Sequence, residues 1–253
     1  MNHEKFTAQM NASEFKDPYF AVQTFASTTN PHQLVYCAMH QDYSEDYVGD
    51  NFPFKPNAGE LVVKHLLSGN KGHFGPLEHP QITFATGYFP HSVMQQARTH
   101  RVGTSFDCQS MRYTSQRVLE AAKGLLDIES VVYLRPIGEY RDRNGKHYNY
   151  DKEWRQRDLE VVHTQVNHYA QSIEWGMSEE HARGLLCFDY RQHFVVSFNA
   201  RSLMHFLDLR AKPDAQLEIQ VLAKMMLVEF KLWMPEVGEW YEKHRLNRGM
   251  LAP

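Results

Sequence analysis

Two hydrophobic periods alternate between Gln81 and Phe198, and their order constrains the fold more than any other feature of this chain. Ile82, Phe84, Thr86 and Tyr88 alternate with Gln81, Thr83, Ala85 and Gly87, the period of a half-buried strand. Pro90-His91-Ser92 ends the pattern, and Ser92 is expected to cap a helix over residues 93–100. A second strand is expected over 130–134, stopped by Pro136. Over 151–175 the period changes: Leu159, Val162, Val166, Tyr169 and Ile173 recur at steps of three and four, the stripe of a long amphipathic helix. Ser178 stands where it would cap a short helix ending near Leu186. Residues 190–198 have strand composition, and Asn199 would cap a helix running to Leu209. Pro213 sits where the first turn of a last long helix would begin, and Pro235 ends or bends that helix. Residues 31–39 and 58–67 read as ordinary packing helices.

Strands and helices are thus interleaved, yet no strand-helix-strand unit repeats and no glycine fingerprint follows a strand. The expected class is α+β, a mixed or antiparallel sheet wrapped by helices. Without repeats or linker tracts, the 253 residues read as a single domain over 1–253, with 1–20 a loosely ordered lead-in. The 27 Lys+Arg against 30 Asp+Glu leave a formal charge of −3, which argues against a non-specific nucleic-acid binder. No run approaches the about 18 apolar residues of a membrane span, and the first six residues lack the order of a secretory signal. Cys37, Cys108 and Cys187 are too few and too scattered for a disulfide framework or a paired metal motif. They point to the reducing cytoplasm.

Common phosphate-loop, nucleophile-elbow and zinc-protease motifs are missing from the sequence. What stands out is the polar stretch 95–116, where Arg98, Arg101, Arg112 and Arg117 face only Asp107 and Glu120 across 91–120. Arginine binds phosphate in a planar, bidentate way, and the hydroxyls of Ser110, Thr114 and Ser115 add neutral donors. Glu180 and Arg183 fall one helical turn apart. From Asn199 onward, Arg201, His205 and Asp208 share one helical stripe while Leu203, Phe206 and Leu207 fill the other. Arg210, nine residues after Arg201 at about 100° each, points roughly half a turn away, so the two arginines are expected to serve different ligands or different subunits.

These blocks together resemble the flavin-dependent thymidylate synthases, a family marked by Arg-His-Arg, seven or eight residues, Ser, and Arg two positions later. Thr99-His100-Arg101, Ser110 and Arg112 match that signature except at the first arginine. The block 72–79 resembles the one preceding the signature, and 199–210 with 215–220 resembles the carboxy-terminal block. The resemblance implies reductive methylation of dUMP to dTMP, with methylene-tetrahydrofolate as carbon donor and NADPH as reductant through bound FAD. It implies that His73, Thr99, His100, Arg101, Asn199, Arg201 and His205 line the FAD site, and that Gln96, Ser110, Arg112, Arg183 and Arg210 hold dUMP, with Glu180 close to where flavin and uracil meet. Arg210, Glu180 and Ser110 carry the catalytic expectations, Ser110 as a binding hydroxyl, since no base is identifiable beside it. A homotetramer with shared sites is also implied, and no metal. Arg98 is the alternative to Thr99 for the missing arginine contact, and Asp107, Cys108 and Gln109 compete for one ligand contact before Ser110.

Two rival readings fit the residues less well. A metal-dependent nucleotide hydrolase would draw on His73, His79, His91 and His100, whose gaps of six, twelve and nine fit no common ligand spacing. An RNA surface at Tyr190-Arg191-Gln192-His193-Phe194 conflicts with the net charge and reads better as a strand's core face.

Overall fold

The computed structural model describes residues 15–50, 52–142 and 144–248. Its centre is a four-stranded antiparallel sheet in the order β1-β2-β6-β3, built from β1 (Ala21–Ser27), β2 (Gln81–Pro90), β3 (Thr104–Cys108) and β6 (Arg191–Asn199). A separate hairpin pairs β4 (Gly138–Arg141) with β5 (His147–Tyr150). Register follows the alternation: Phe84 lies opposite Val196 and Thr86 opposite Phe194, so Ile82, Phe84, Phe194, Val196 and Phe198 all enter one core.

Helices cover that face because each brings an apolar stripe. They are α1 (Pro31–Gln41), α2 (Ala58–Val62, continued by a π turn over Val63–Leu67), α3 (His91–Ala97), α7 (Ala200–Arg210), α8 (Leu217–Trp233) and α9 (Pro235–His244). A second core lies under α5 (Lys152–Glu174), where Val162, Val166 and Tyr169 meet Val118 and Ala121 of α4 (Gln116–Ala122) and Ala182 of α6 (Glu179–Ala182). Asp151 caps α5 by accepting from the Trp154 amide at 2.8 Å, and Asn199 caps α7 by accepting from the Ser202 amide at 2.8 Å.

Several local expectations change. Ser92 is inside α3 rather than its cap; the carboxylate of distant Asp189 takes the Ser92 amide at 3.2 Å. Residues 130–134 form no strand, because Asp127 caps a 3-10 turn over Ile128–Ser130 and only Val132 bridges to Tyr190. Val131, Val132 and Tyr133 are nonetheless buried, so the apolar run is core without a ladder. Helix α8 begins at Leu217, four residues past Pro213, whose carbonyl accepts from Gln220 instead (3.3 Å). Pro235 does end that helix and starts α9. Ser178 precedes α6 without capping it through its side chain. Cys37 is buried, Cys187 half-buried and Cys108 exposed. Of the lead-in, residues 1–14 lie outside the described residues; from Phe15 the chain is packed, with Phe15 buried and Asp17 paired to buried Arg191 at 2.7 Å. No helix of the described residues is long and apolar enough to cross a membrane.

Asp208 departs most from the expected separation of charge and core. It is buried on the flank of α7 that faces α9, where Arg245 donates to both its oxygens (3.0 and 2.8 Å to Oδ2, 3.1 Å to Oδ1) and Tyr241 donates at 3.1 Å. Burial raises the Asp208 pKa, against the opposing pull of Arg245. The Arg245 guanidinium also lies 5.7 Å from the Phe74 ring centroid, so one side chain ties α7 to the loop that carries His73.

Candidate active site

Helix α3 ends at Ala97 and the chain turns through Arg98, Thr99 and His100, which brings this end of α3 against the last turn of α7. Arg210 donates through Nε to His100 Nε2 at 2.9 Å, and through Nη2 to Thr99 Oγ1 at 3.0 Å and to the Gln96 carbonyl at 3.3 Å. Thr99 Oγ1 itself donates to the Gln96 carbonyl at 2.7 Å. His100 also packs edge-on against His205 (5.5 Å) and Phe206 (5.0 Å). Burial, then the positive charge of Arg210, push the His100 pKa down to about 4. A neutral imidazole is what the Arg210 bond requires, because Nε2 must accept. His205 Nδ1 is buried and has no partner among the described residues.

A second group lies on α6 and on the loop between β3 and α4. Arg112 Nε pairs with Glu180 Oε2 at 3.0 Å, both side chains about half exposed, and its guanidinium lies 5.7 Å from the Tyr113 ring. Ser110 Oγ accepts a long bond from the Arg112 amide, 3.4 Å. Arg183 follows α6 and is exposed. Two further pairs stand apart: Arg201 with Glu78 at 2.5 Å, and His73 Nε2 with Asp42 at 3.0 Å. Arg101 is exposed.

The expected residues therefore fall into separate groups rather than one pocket. Gln96, Thr99, His100, His205 and Arg210 come together; Ser110, Arg112 and Glu180 come together, with Arg183 just beyond α6; His73 and Arg201 each hold a carboxylate. Arg201 and Arg210 do face different neighbours. Thr99, not Arg98, takes the Arg210 contact, while Arg98 lies near enough to His91 to lower its pKa, after burial and against Gln192 and Asp189. Gln109 is committed to β6, accepting from the His193 amide at 3.1 Å. Asp107 and Cys108 remain exposed and line a cleft of about 480 Å³ with Tyr88 and His193 on the open sheet face. Asn199 is buried as the α7 cap, and a Cβ at Gly103 would lie 2.3 Å from both its Nδ2 and Ser202 Oγ. At a φ of +62° this position suits glycine on both counts.

Sequence reasoning missed Gln216, whose Oε1 accepts from Gln96 Nε2 at 2.6 Å, and the carboxylates Glu78 and Asp42. Gln216 and Glu78 sit inside the matched blocks, which was the available signal. Among the described residues no three His, Cys, Asp or Glu lie close enough to hold a metal ion.

A family model described as thymidylate synthase complementing protein matches residues 24–236. A flavin-dependent thymidylate synthase of Haloarcula marismortui is 35% identical over 253 residues, covering 92% of this chain and 99% of its own. One of Halobacterium salinarum is 33% identical with the same coverage. A solved structure of a UMP/dUMP methylase, PolB from Streptomyces cacaoi bound with 5-Br UMP, matches with a TM-score of 0.66 at 20% identity, covering 92% of this chain and 96% of that one; at this identity it speaks for the fold alone. The chain belongs to the flavin-dependent thymidylate synthase family.

Proposed function

We propose that the Arg210 cluster and the Arg112 group hold one dUMP beside one flavin, and that the enzyme converts dUMP to dTMP with methylene-tetrahydrofolate as carbon donor and NADPH as reductant. The observation that carries this reading is Arg210, a charged guanidinium held by three acceptors beside a neutral His100.

The residues fit FAD. His205 Nδ1 is a buried polar atom awaiting a partner, in the second turn of α7, whose start Asn199 caps. His73, Thr99, His100, Arg101, Asn199, Arg201 and His205 would hold the cofactor, which when bound supplies the hydride chemistry no side chain possesses. The chain's own task is binding and alignment. Aligned reactants gain roughly 7–11 kcal/mol over free encounter. Arg210 would orient the uracil and stabilise negative charge developing on its ring. Arg112 and Arg183 would grip the phosphate, with Ser110 as a neutral donor. Glu180 holds Arg112 by one oxygen and would set its direction near the uracil.

A homotetramer with sites completed across subunits, the assembly the family resemblance implies, is the one we infer; it accords with the expected residues falling into separate groups within one chain. A single catalytic domain accords with Phe20 and Met225 packing against both the main core and the smaller one around Phe15 and Tyr133, and a cytoplasmic location with the unpaired cysteines.

The test is dTMP formation with dUMP, methylene-tetrahydrofolate, NADPH and FAD present and omitted in turn. Purified protein should be yellow and should bleach anaerobically with NADPH. A colourless protein that takes up no added FAD would refute the reading.

A further inference from the structure

A chain of side chains runs from the core to Gln96, and its direction is fixed at the buried end. Glu218 is buried on the first turn of α8. Its Oε1 accepts from the Tyr133 hydroxyl and its Oε2 from Gln216 Nε2, both at 2.7 Å. Burial raises the Tyr133 pKa well above the ordinary range, with Glu218 adding to the shift, so the phenol keeps its proton and donates. Burial lowers the pKa of nearby Arg135, but Tyr148 and Glu218 outweigh it and the net shift is upward. With Tyr133 donating to Oε1, both Glu218 oxygens serve as acceptors, and Gln216 turns its nitrogen toward Oε2. Ser92 Oγ takes a second bond from the same nitrogen at 3.3 Å. The Gln216 oxygen is thereby left for Gln96, whose own Nε2 donates to it at 2.6 Å. Each amide in the series has one orientation left.

We propose that the relay Tyr133–Glu218–Gln216 locks the Gln96 amide so that its carbonyl oxygen is the atom offered to the nucleotide. Gln96 Oε1 has no donor among the described residues, while the Gln96 backbone carbonyl already receives Arg210 and Thr99. An amide oxygen with no internal donor selects a hydrogen-bond donor and repels a phosphate oxygen, since an acceptor that a bound ligand covers without supplying a donor loses its bond to water. dUMP carries two neutral donors, the N3–H of uracil and the 3′-hydroxyl of the sugar. Gln96 thus reads a donor of the nucleoside, and phosphate recognition falls to Arg112, Arg183 and Ser110. A free glutamine would flip to suit donor or acceptor alike; the buried carboxylate removes that freedom. This makes Gln216 and Glu218 positioning residues for specificity, and the argument rests on the dUMP reading of the Arg210 cluster.

The test is calorimetric binding to FAD-loaded protein of dUMP, N3-methyl-dUMP, dCMP, 2′,3′-dideoxyuridine monophosphate and deoxyuridine. Gln216→Ala alters an exposed residue, and Glu218→Gln removes the fixed acceptor at the buried end; circular dichroism and flavin absorbance verify both folds. The wild type should bind one nucleoside-altered set, either the two base analogues or the dideoxy sugar, about tenfold more weakly than dUMP, the size of one hydrogen bond. In Gln216→Ala that penalty should shrink to about twofold or less, while the deoxyuridine penalty stays as in the wild type. If base analogues carry the effect, the donor is N3–H; if the sugar analogue carries it, the donor is the 3′-hydroxyl. Equal weakening of every ligand, an unchanged penalty, or a loss confined to the phosphate comparison would overturn the relay. A wild type that binds no dUMP at all would instead overturn the functional reading beneath it.

Discussion

Arg210 and Arg112, the two arginines proposed to meet one nucleotide, are held by the molecule in opposite ways. Arg210 is half-buried, bonded to three acceptors and borne on a helix whose rear flank is pinned by the buried Asp208–Arg245 pair. Arg112 is 54% exposed, with one ion pair to a 43% exposed Glu180. The first arrangement fixes direction before any ligand arrives, which suits a planar ring whose orientation decides the chemistry. The second leaves a charge free to reorganise, as the proposed phosphate contact would require. Preorganisation is thus spent where geometry matters, and left out where charge alone suffices.

Removing the pin should have the largest effect. Arg245→Met strands a carboxylate whose side chain is 4% or less exposed, and breaking a buried pair costs about 3–5 kcal/mol. The same change at Arg112 should cost under about 1 kcal/mol. Urea denaturation of both variants measures the contrast directly. Adding Asp208→Leu to Arg245→Met should recover most of the lost stability, because an apolar pair of similar volume is tolerated in such sites. Equal losses at Arg245 and Arg112 would erase the distinction between the two regions.

Arg210→Ala comes next. Removing one donor aimed at developing charge lowers kcat by about a hundredfold to a thousandfold, so dTMP formation should nearly vanish while bound flavin remains visible in the absorption spectrum. Near-normal turnover would sink the assignment. Arg183→Ala should behave differently, raising the KM for dUMP roughly tenfold with kcat little changed, as loss of a charge-assisted contact does. That penalty should shrink as salt is added, because exposed charges are screened beyond about 10 Å at 0.1 M. A fall in kcat with KM intact would place Arg183 with Arg210 rather than with Arg112.

The same contrast governs what could be read in the sequence. The strands around Phe84 and Val196 and the helix through Val162 and Val166 were legible because a periodic pattern needs only near neighbours. Strand β3 was not: Thr104–Cys108 sits inside a polar signature, and its pairing to β6 depends on residues about ninety positions away. The Arg201 and Arg210 directions were legible, since they follow from helical rotation. Their partners were not, because Glu78 and His100 lie more than a hundred residues off. Asp208 looked like a surface charge for the same reason, its neutralising Arg245 standing 37 positions later.

The last effect, which appears only as pH falls, tests the state of His100 and with it the preorganised side of the comparison. Its folded pKa is pushed to about 4 from an ordinary 6.5 by burial, then Arg210, then His205. Between those values the unfolded chain binds a proton that the folded chain refuses, so this contribution is fully present above pH 6.5 and is lost as pH falls toward 4. His100→Gln keeps an acceptor for Arg210 and does not titrate. His32, His91 and His193 are also depressed by burial, but they remain in both proteins and cancel in the difference. Urea midpoints measured across this window should fall more steeply for the wild type than for His100→Gln. Parallel slopes would mean that His100 titrates normally, and an imidazolium there could not accept from Arg210 at all.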